Sequence, residues 1–127
     1  MESVFQALSE PTRLRIVRLL ADTDEEVCLC ELVDSLHETS YNVSRHLKVL
    51  RQAGLLEAKK DGRWVYHRLH VAEPHLTHLL NAVRAIPDPN RLYAIDRERF
   101  RKRLCLREDG RCRVGSVGKE SRAALSR

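Results

Sequence analysis

The chain has 127 residues, 43% of them hydrophobic, with four cysteines and a formal net charge of +5. This length suits one domain with a modest core, which gains from a second copy that buries more surface. No apolar run approaches the roughly 20 residues of a membrane span, and the opening MESVFQALSE lacks the basic and apolar regions of a secretory signal. A cytoplasmic protein with no membrane partner is expected. Its cysteines then stay reduced and serve metal binding, redox chemistry or packing, not structural disulfides. The positive charge is concentrated late: residues 91–127 hold 12 Lys and Arg against 5 Asp and Glu, while residues 1–90 are slightly acidic.

In chain order, Val4, Phe5 and Leu8 mark a short first helix, interrupted by Ser9-Glu10-Pro11. Pro11 suits the first position of a second helix, where its missing N–H costs nothing. That helix carries Leu14, Val17, Leu20 and Ala21 inward and Arg13, Arg15 and Arg18 outward. An acidic connection comes next, and Val27-Cys28-Leu29-Cys30 opens a third helix. Leu29, Leu32, Val33 and Leu36 form its apolar face at helical spacing. His37-Glu38-Thr39 breaks that face. Val43, Leu47 and Leu50 begin another, with Thr39 as N-cap and Gly54 as the left-handed end.

Two helices joined by this tight turn make a helix-turn-helix. Tyr41, Arg45 and Lys48 point away from the buried face of the second helix, flanked by Ser40, Asn42 and Ser44. Side chains of these types read base edges and hold phosphates in a major groove; alone, the same face would equally suit a solvated helix. The segment after Gly54 favours DNA. Leu55–Lys60 reads as a strand, Asp61-Gly62 as a hairpin turn, and Arg63–Leu69 as a returning strand carrying Trp64 and Tyr66. With Lys59, Lys60, Arg63 and Arg68, this is a basic wing beside the recognition helix. The expected fold class is mostly α with a β-hairpin wing, a winged helix-turn-helix.

Pro74 begins a further helix with an apolar stripe of Leu76, Leu79, Leu80, Val83 and Ile86. With the first helix it is the expected homodimer surface. Ile86-Pro87-Asp88-Pro89 closes the folded domain. The expected organisation is therefore a DNA-binding and dimerisation domain over 1–90 and a basic, Arg-rich tail over 91–127. In the tail, Tyr93, Phe100 and Leu104 line a weak amphipathic helix, and residues 110–127 have too few large apolar side chains to order.

Cys28 and Cys30 are two residues apart. On a regular helix that puts them roughly 200° apart, too far round to share an ion. If the segment is extended at the helix start, both can face one ion, and binding would pull the helix start out of its resting geometry. Soft thiolates select soft ions. Cys105 and Cys112 lie among Arg103, Arg107, Arg111 and Arg113, which favour the thiolate, and either could supply a third sulfur. His67, His70, His75 and His78 lack a Cys or carboxylate pattern to complete a metal site and are expected to be exposed or capping.

Leu8-Ser9-Glu10-Pro11-Thr12-Arg13-Leu14-Arg15-Ile16, Val27-Cys28-Leu29-Cys30-Glu31-Leu32, and Val43-Ser44-Arg45-His46-Leu47-Lys48-Val49-Leu50 with Ala53-Gly54-Leu55 resemble, in this order, three signatures of the ArsR/SmtB family of dimeric winged-helix repressors. The resemblance covers about residues 3–86. It implies an apo dimer on inverted-repeat double-stranded operator DNA, released when an inducer binds. It also implies a phosphate contact for His46. Members with a Cys-x-Cys box here are chiefly sensors of As(III) and Sb(III), and others sense Cd(II), Pb(II), zinc or copper. The third cysteine of the best-known arsenic sensors is Val33 in this chain. The zinc site of other members falls on Val71, Glu73, Arg84 and Pro87, so zinc sensing there is not expected. The alternatives are an oxidation-sensing winged-helix regulator and a thiol enzyme or metal chaperone. Against the last, no thioredoxin-like pattern surrounds the cysteines.

Overall fold

The structure, a computed structural model, describes residues 1–116. Six helices surround a three-stranded antiparallel sheet: α1 Glu2–Leu8, α2 Pro11–Thr23, β1 Val27–Cys28, α3 Leu29–Leu36, α4 Ser40–Gln52, β2 Leu56–Asp61, β3 Trp64–Leu69, α5 Pro74–Arg84 and α6 Leu92–Leu104. Strand order is β1-β3-β2. This is the expected winged helix-turn-helix. The Glu10 carboxylate caps α2 by accepting from the Arg13 N–H at 2.9 Å. Thr39 caps α4 from the Asn42 N–H at 3.2 Å. Both place an acceptor where a helix start leaves its N–H groups unpaired. Gly54 follows α4 with φ +83°, the left-handed geometry its lack of a Cβ permits.

The core joins Ile16, Val17, Leu19 and Leu20 of α2, Leu32, Val33 and Leu36 of α3, Val43, Leu47 and Leu50 of α4, and Leu76, Leu80 and Val83 of α5. Four features differ from the sequence-based expectation. First, the hairpin turn is Gly62-Arg63, since Asp61 pairs with Trp64. Gly62, with φ +63°, takes the first central position, the pattern of a type II′ turn. Second, Val27 and Cys28 are not helical. They form an edge strand in register with His67 and Tyr66 of β3. Third, the apolar stripe of α5 is spent inside: Leu76, Leu80 and Val83 are buried, and α5 packs on α2. It is therefore not available to a partner in this conformation. What α5 presents outward is His75, Thr77, His78, Asn81 and Ala82.

The fourth difference decides the site. Residues 92–104, in the segment read as a tail, form α6, which packs along α3 and α2. Phe100 is 1% exposed. Asp96 is equally buried and takes both prongs of Arg15, at 3.0 and 2.8 Å; Arg15 also donates to the Leu36 carbonyl at 2.9 Å. Arg18, expected outward, is buried and donates to Asp22 at 2.7 Å and to the carbonyls of Val83 and Ile86. Charges leave water only when paired and hydrogen-bonded in this way. As a result α3 is covered on both sides, and Glu31, Asp34 and Ser35 are as buried as its leucines.

Replacing Phe100 with alanine removes the apolar anchor of α6. A destabilisation of about 3–5 kcal/mol is expected from the lost burial and the cavity, read as a shift in the midpoint of urea unfolding. A shift near zero would mean that α6 contributes little to the fold.

Candidate functional site: a buried thiol cluster behind a basic face

The extended backbone at Cys28, φ −95° and ψ 162° as N-cap of α3, removes the angular obstacle that a regular helix would impose. Cys28 Sγ and Cys30 Sγ lie 3.2 Å apart. Cys112, from the segment after α6, joins them with its Sγ 3.5 Å from that of Cys30. All three sulfurs fall within 4.8 Å of one another, and all three residues are buried. Among the described residues this is the group of potential metal ligands that converges on one point. Because the sulfurs are already together, no distortion of the helix start is needed to gather them, contrary to the expectation from spacing.

Cys112 is held there by a series of polar contacts. Its backbone N–H donates to the Tyr66 hydroxyl oxygen at 2.7 Å. Arg107 forks onto the fully buried Glu31 carboxylate at 2.6 and 2.7 Å and donates to the Glu26 carbonyl at 2.8 Å. Arg111 lies over the Tyr66 ring at 4.6 Å and pairs with Glu26 and Asp61. Arg103 is fully buried. Its Nε donates to Asp34 at 2.7 Å, and its Nη2 reaches the Val114 carbonyl at 2.7 Å while lying 3.7 Å from Cys30 Sγ and 4.0 Å from Cys112 Sγ. Glu31 also accepts the Cys28 N–H at 3.1 Å, which steadies the strand-to-helix step.

The thiols are unlike one another. Cys30 is lowered to about 6, chiefly because Cys28 hydrogen-bonds its thiolate, with Cys112 and the Arg103 charge adding to the effect. Cys28 is raised, first by being the donor of that bond and then by burial. Cys112 is raised by burial. Within the cluster Cys30 therefore favours the thiolate, stabilised by its two neighbours, which favour the thiol. Cys28 and Cys30 form part of the wall of a cleft of about 580 Å³, lined also by Leu29, Leu47, Trp64 and Val65, between α4 and the hairpin.

Cys105 is exposed, its Sγ within 3.6 Å of the Arg101 carbonyl, and stands apart from the cluster. His70 pairs with Glu57 at 3.1 Å, and His75 lies 3.4 Å from Glu73. His67 is buried and lowered to about 4, by burial first and Arg51 second.

On α4, Ser40, Tyr41, Ser44, Arg45 and Lys48 are exposed and Asn42 is half-buried, and Ser44 also lines the cleft that Cys28 and Cys30 border. Tyr41 is 76% exposed, with Arg45 6.0 Å over its ring. Lys60 and Arg63 are exposed beside the hairpin turn, and Arg63 stacks over Trp64 at 4.8 Å. His46 is different. It is 5% exposed, 3.2 Å from Arg13 Nη1 and 3.7 Å from Glu10. It braces α4 against α2, and its burial leaves little of the ring to meet a phosphate. The sequence names Arg103 and Arg107 as cations beside the late cysteines, but gives Glu31, Asp34 and Tyr66 no place in the site. A cue was available in carboxylates three residues apart on α3 and arginines four residues apart in the late segment.

A helix-turn-helix with an exposed basic helix and an adjoining hairpin defines a winged-helix regulatory protein. Residues 10–58 match the family described as bacterial regulatory protein, arsR family. The chain is similar to the arsenic resistance transcriptional regulator ArsR1 of Pseudomonas putida, 44% identical over 71 residues, which cover 56% of this chain and 55% of that protein. It is also similar to the uncharacterized HTH-type transcriptional regulator MJ1325 of Methanocaldococcus jannaschii, 38% identical over 64 residues, half of this chain and 71% of that one. HlyU from Vibrio cholerae shares the fold, with a TM-score of 0.57 and 25% identity over 64% of this chain and 84% of its own. The chain belongs to the arsR family, a family of transcriptional regulators and not of enzymes. It spans little more than half the length of the Pseudomonas regulator; Cys112 and α6 lie beyond the matched residues 10–58. Among the described residues, no helix is long and apolar enough to cross a membrane.

The burial pattern predicts one fast thiol in the folded protein, Cys105, and three slow ones when a colourimetric disulfide reagent is added. Arg107→Ala strands the Glu31 carboxylate and loosens the segment that carries Cys112. A second fast thiol and a loss of about 3 kcal/mol in stability are expected. An unchanged thiol profile in that variant would mean that Arg107 does not hold the segment in place.

Proposed function

We propose that the chain is a transcriptional repressor that binds operator DNA as a homodimer and is released when As(III) or Sb(III) bonds to Cys28, Cys30 and Cys112. The observation that carries this reading is the gathering of three buried sulfurs from β1, α3 and the segment after α6. Their number matches the three bonds that a trivalent metalloid forms. Three soft sulfur donors held together away from water suit a soft metalloid or metal ion. The same soft sulfurs suit Cd(II) or Pb(II) on donor type alone, which makes a divalent-ion repressor the competing reading. Cys105 takes no part in either.

In this reading Ser40, Tyr41, Asn42, Ser44, Arg45 and Lys48 meet the major groove, and Lys60 and Arg63 hold the backbone beside it. The dimer forms through α1, where Phe5 is 57% exposed, and the outward face of α5. The inducer bonds at once to the edge strand of the wing sheet, the first helix of the helix-turn-helix and the C-terminal segment. It thereby fixes the wing relative to α3. It can release DNA only as far as it prefers the free arrangement over the bound one. Near-complete switching needs about 10⁴-fold preference, roughly 5.5 kcal/mol.

Two experiments test the reading. Arg45→Ala should weaken operator binding more than binding to random DNA, measured by fluorescence anisotropy at fixed salt. Equal losses on both would reduce Arg45 to a phosphate contact. In arsenite titrations of the operator complex, Cys28→Ser, Cys30→Ser and Cys112→Ser should each keep DNA binding and raise the arsenite needed for release by about tenfold or more, because serine oxygen is a poor ligand for a soft ion. Cys105→Ser should behave as the parent. Normal release by the Cys112→Ser variant would remove the third sulfur, and release by cadmium at far lower concentration than arsenite would replace the ligand.

A further inference from the structure

The cleft between α4 and the hairpin, about 580 Å³, has more to its wall than Cys28 and Cys30. Leu29, Leu47, Trp64 and Val65 give it apolar sides, and Val65 is 42% exposed, a large apolar side chain left at the surface. The remaining polar wall is Ser44, Arg51, Arg63 and His67, and no Asp or Glu lines the cleft. Asp61, at the adjoining turn, is engaged by Arg111 at 3.1 Å. Two arginines therefore stand against one sulfur that favours the thiolate, Cys30.

His67 indicates what the cleft takes. It is 4% exposed, and Arg51 Nη1 lies 2.8 Å from its Nε2. A guanidinium can only donate, so Nε2 is the acceptor of that bond. The ring, lowered to about 4, is neutral, and its single proton is therefore on Nδ1. Among the described residues that N–H has no partner. A buried donor left unmatched is costly. An acceptor brought by a ligand removes the cost, and a carboxylate meets the Arg51 charge as well.

We propose that this cleft is a binding site for a small aromatic carboxylate. The ring packs among Leu47, Trp64 and Val65, and the carboxylate accepts from His67 Nδ1 and from Arg51. Apolar walls with a few placed polar groups are the usual build of a small-ligand site. A DNA phosphate would suit the donors but brings no apolar body to the walls. Ser44 and Arg63 also belong to the face proposed above to meet DNA, so an occupant of the cleft competes with the operator. The competition rests on that DNA face; the binding site does not.

Trp64, the one tryptophan of the chain, lies in the wall and reports occupancy through its fluorescence. The probe is 4-tert-butylbenzoate, titrated into the full chain without DNA, beside 4-tert-butylbenzyl alcohol, which has the same body and no charge. The carboxylate should bind about tenfold or more tighter than the alcohol. His67→Phe keeps a ring and removes the N–H. It should weaken the carboxylate by about tenfold or more and leave the alcohol within about threefold. Ala58→Phe, at an exposed position in the wall, should fill the cleft and abolish both. Equal affinity for the two probes, or an unchanged carboxylate affinity in folded His67→Phe, would overturn the proposal. If circular dichroism shows that His67→Phe does not fold, the exposed Arg51 takes its place, and unchanged carboxylate affinity in Arg51→Met overturns it equally. In fluorescence anisotropy with labelled operator, the probe should weaken DNA binding by the parent and not by Ala58→Phe. Undiminished operator binding with the cleft saturated would overturn the competition and leave the site standing.

Discussion

Buried carboxylates on α3 constrain the rest of this molecule. Glu31 and Asp34 lie one turn apart on a helix that the core covers on one side, and neither reaches water on the other. A buried carboxylate without a partner is costly, and removing one member of such a pair costs about 3–5 kcal/mol. The partners come from far along the chain, Arg103 of α6 and Arg107 just after it. Satisfying these two charges therefore obliges α6 to lie along α3 and the segment after it to cross the start of that helix. Cys112 arrives beside Cys28 and Cys30 as a consequence.

The same arrangement links the thiol cluster to the wing and to the helix-turn-helix. Cys28 belongs to β1, whose register partner is Tyr66 of the wing, and Tyr66 accepts the N–H of Cys112. Cys30 lies in the first helix of the helix-turn-helix. A ligand spanning the three sulfurs would thus cross-link elements that a winged helix must position independently to fit a groove. With the sulfurs already gathered, a ligand bound to all three would not have to remake the helix start.

The recognition face shows how local and long-range forces divide. Tyr41, Arg45 and Lys48 are exposed because the opposite face of α4 is fully used by Val43, Leu47 and Leu50. His46 shares the helix but not that face. Its burial, together with Arg13 and Glu10 beside it, makes it a brace between α2 and α4.

Periodicity, caps and turn residues act over a few positions and leave a local trace, so the helix-turn-helix, the wing and the exposed basic helix are legible in the order of residues alone. Cys28 and Cys30 are legible there too as a pair, conditional on an extended helix start. Long-range packing was needed to show that Cys112 completes the cluster and Cys105 does not, that α5 turns its apolar stripe inward, and that residues 92–104 belong to the body of the fold. The cause is that α6 is anchored mainly by charge: of its buried residues Asp96, Phe100 and Arg103, one is apolar. An arginine destined for a buried carboxylate looks in sequence like an arginine destined for solvent. Which of the two it becomes depends on Asp34, 69 residues away, and no local pattern records that partner.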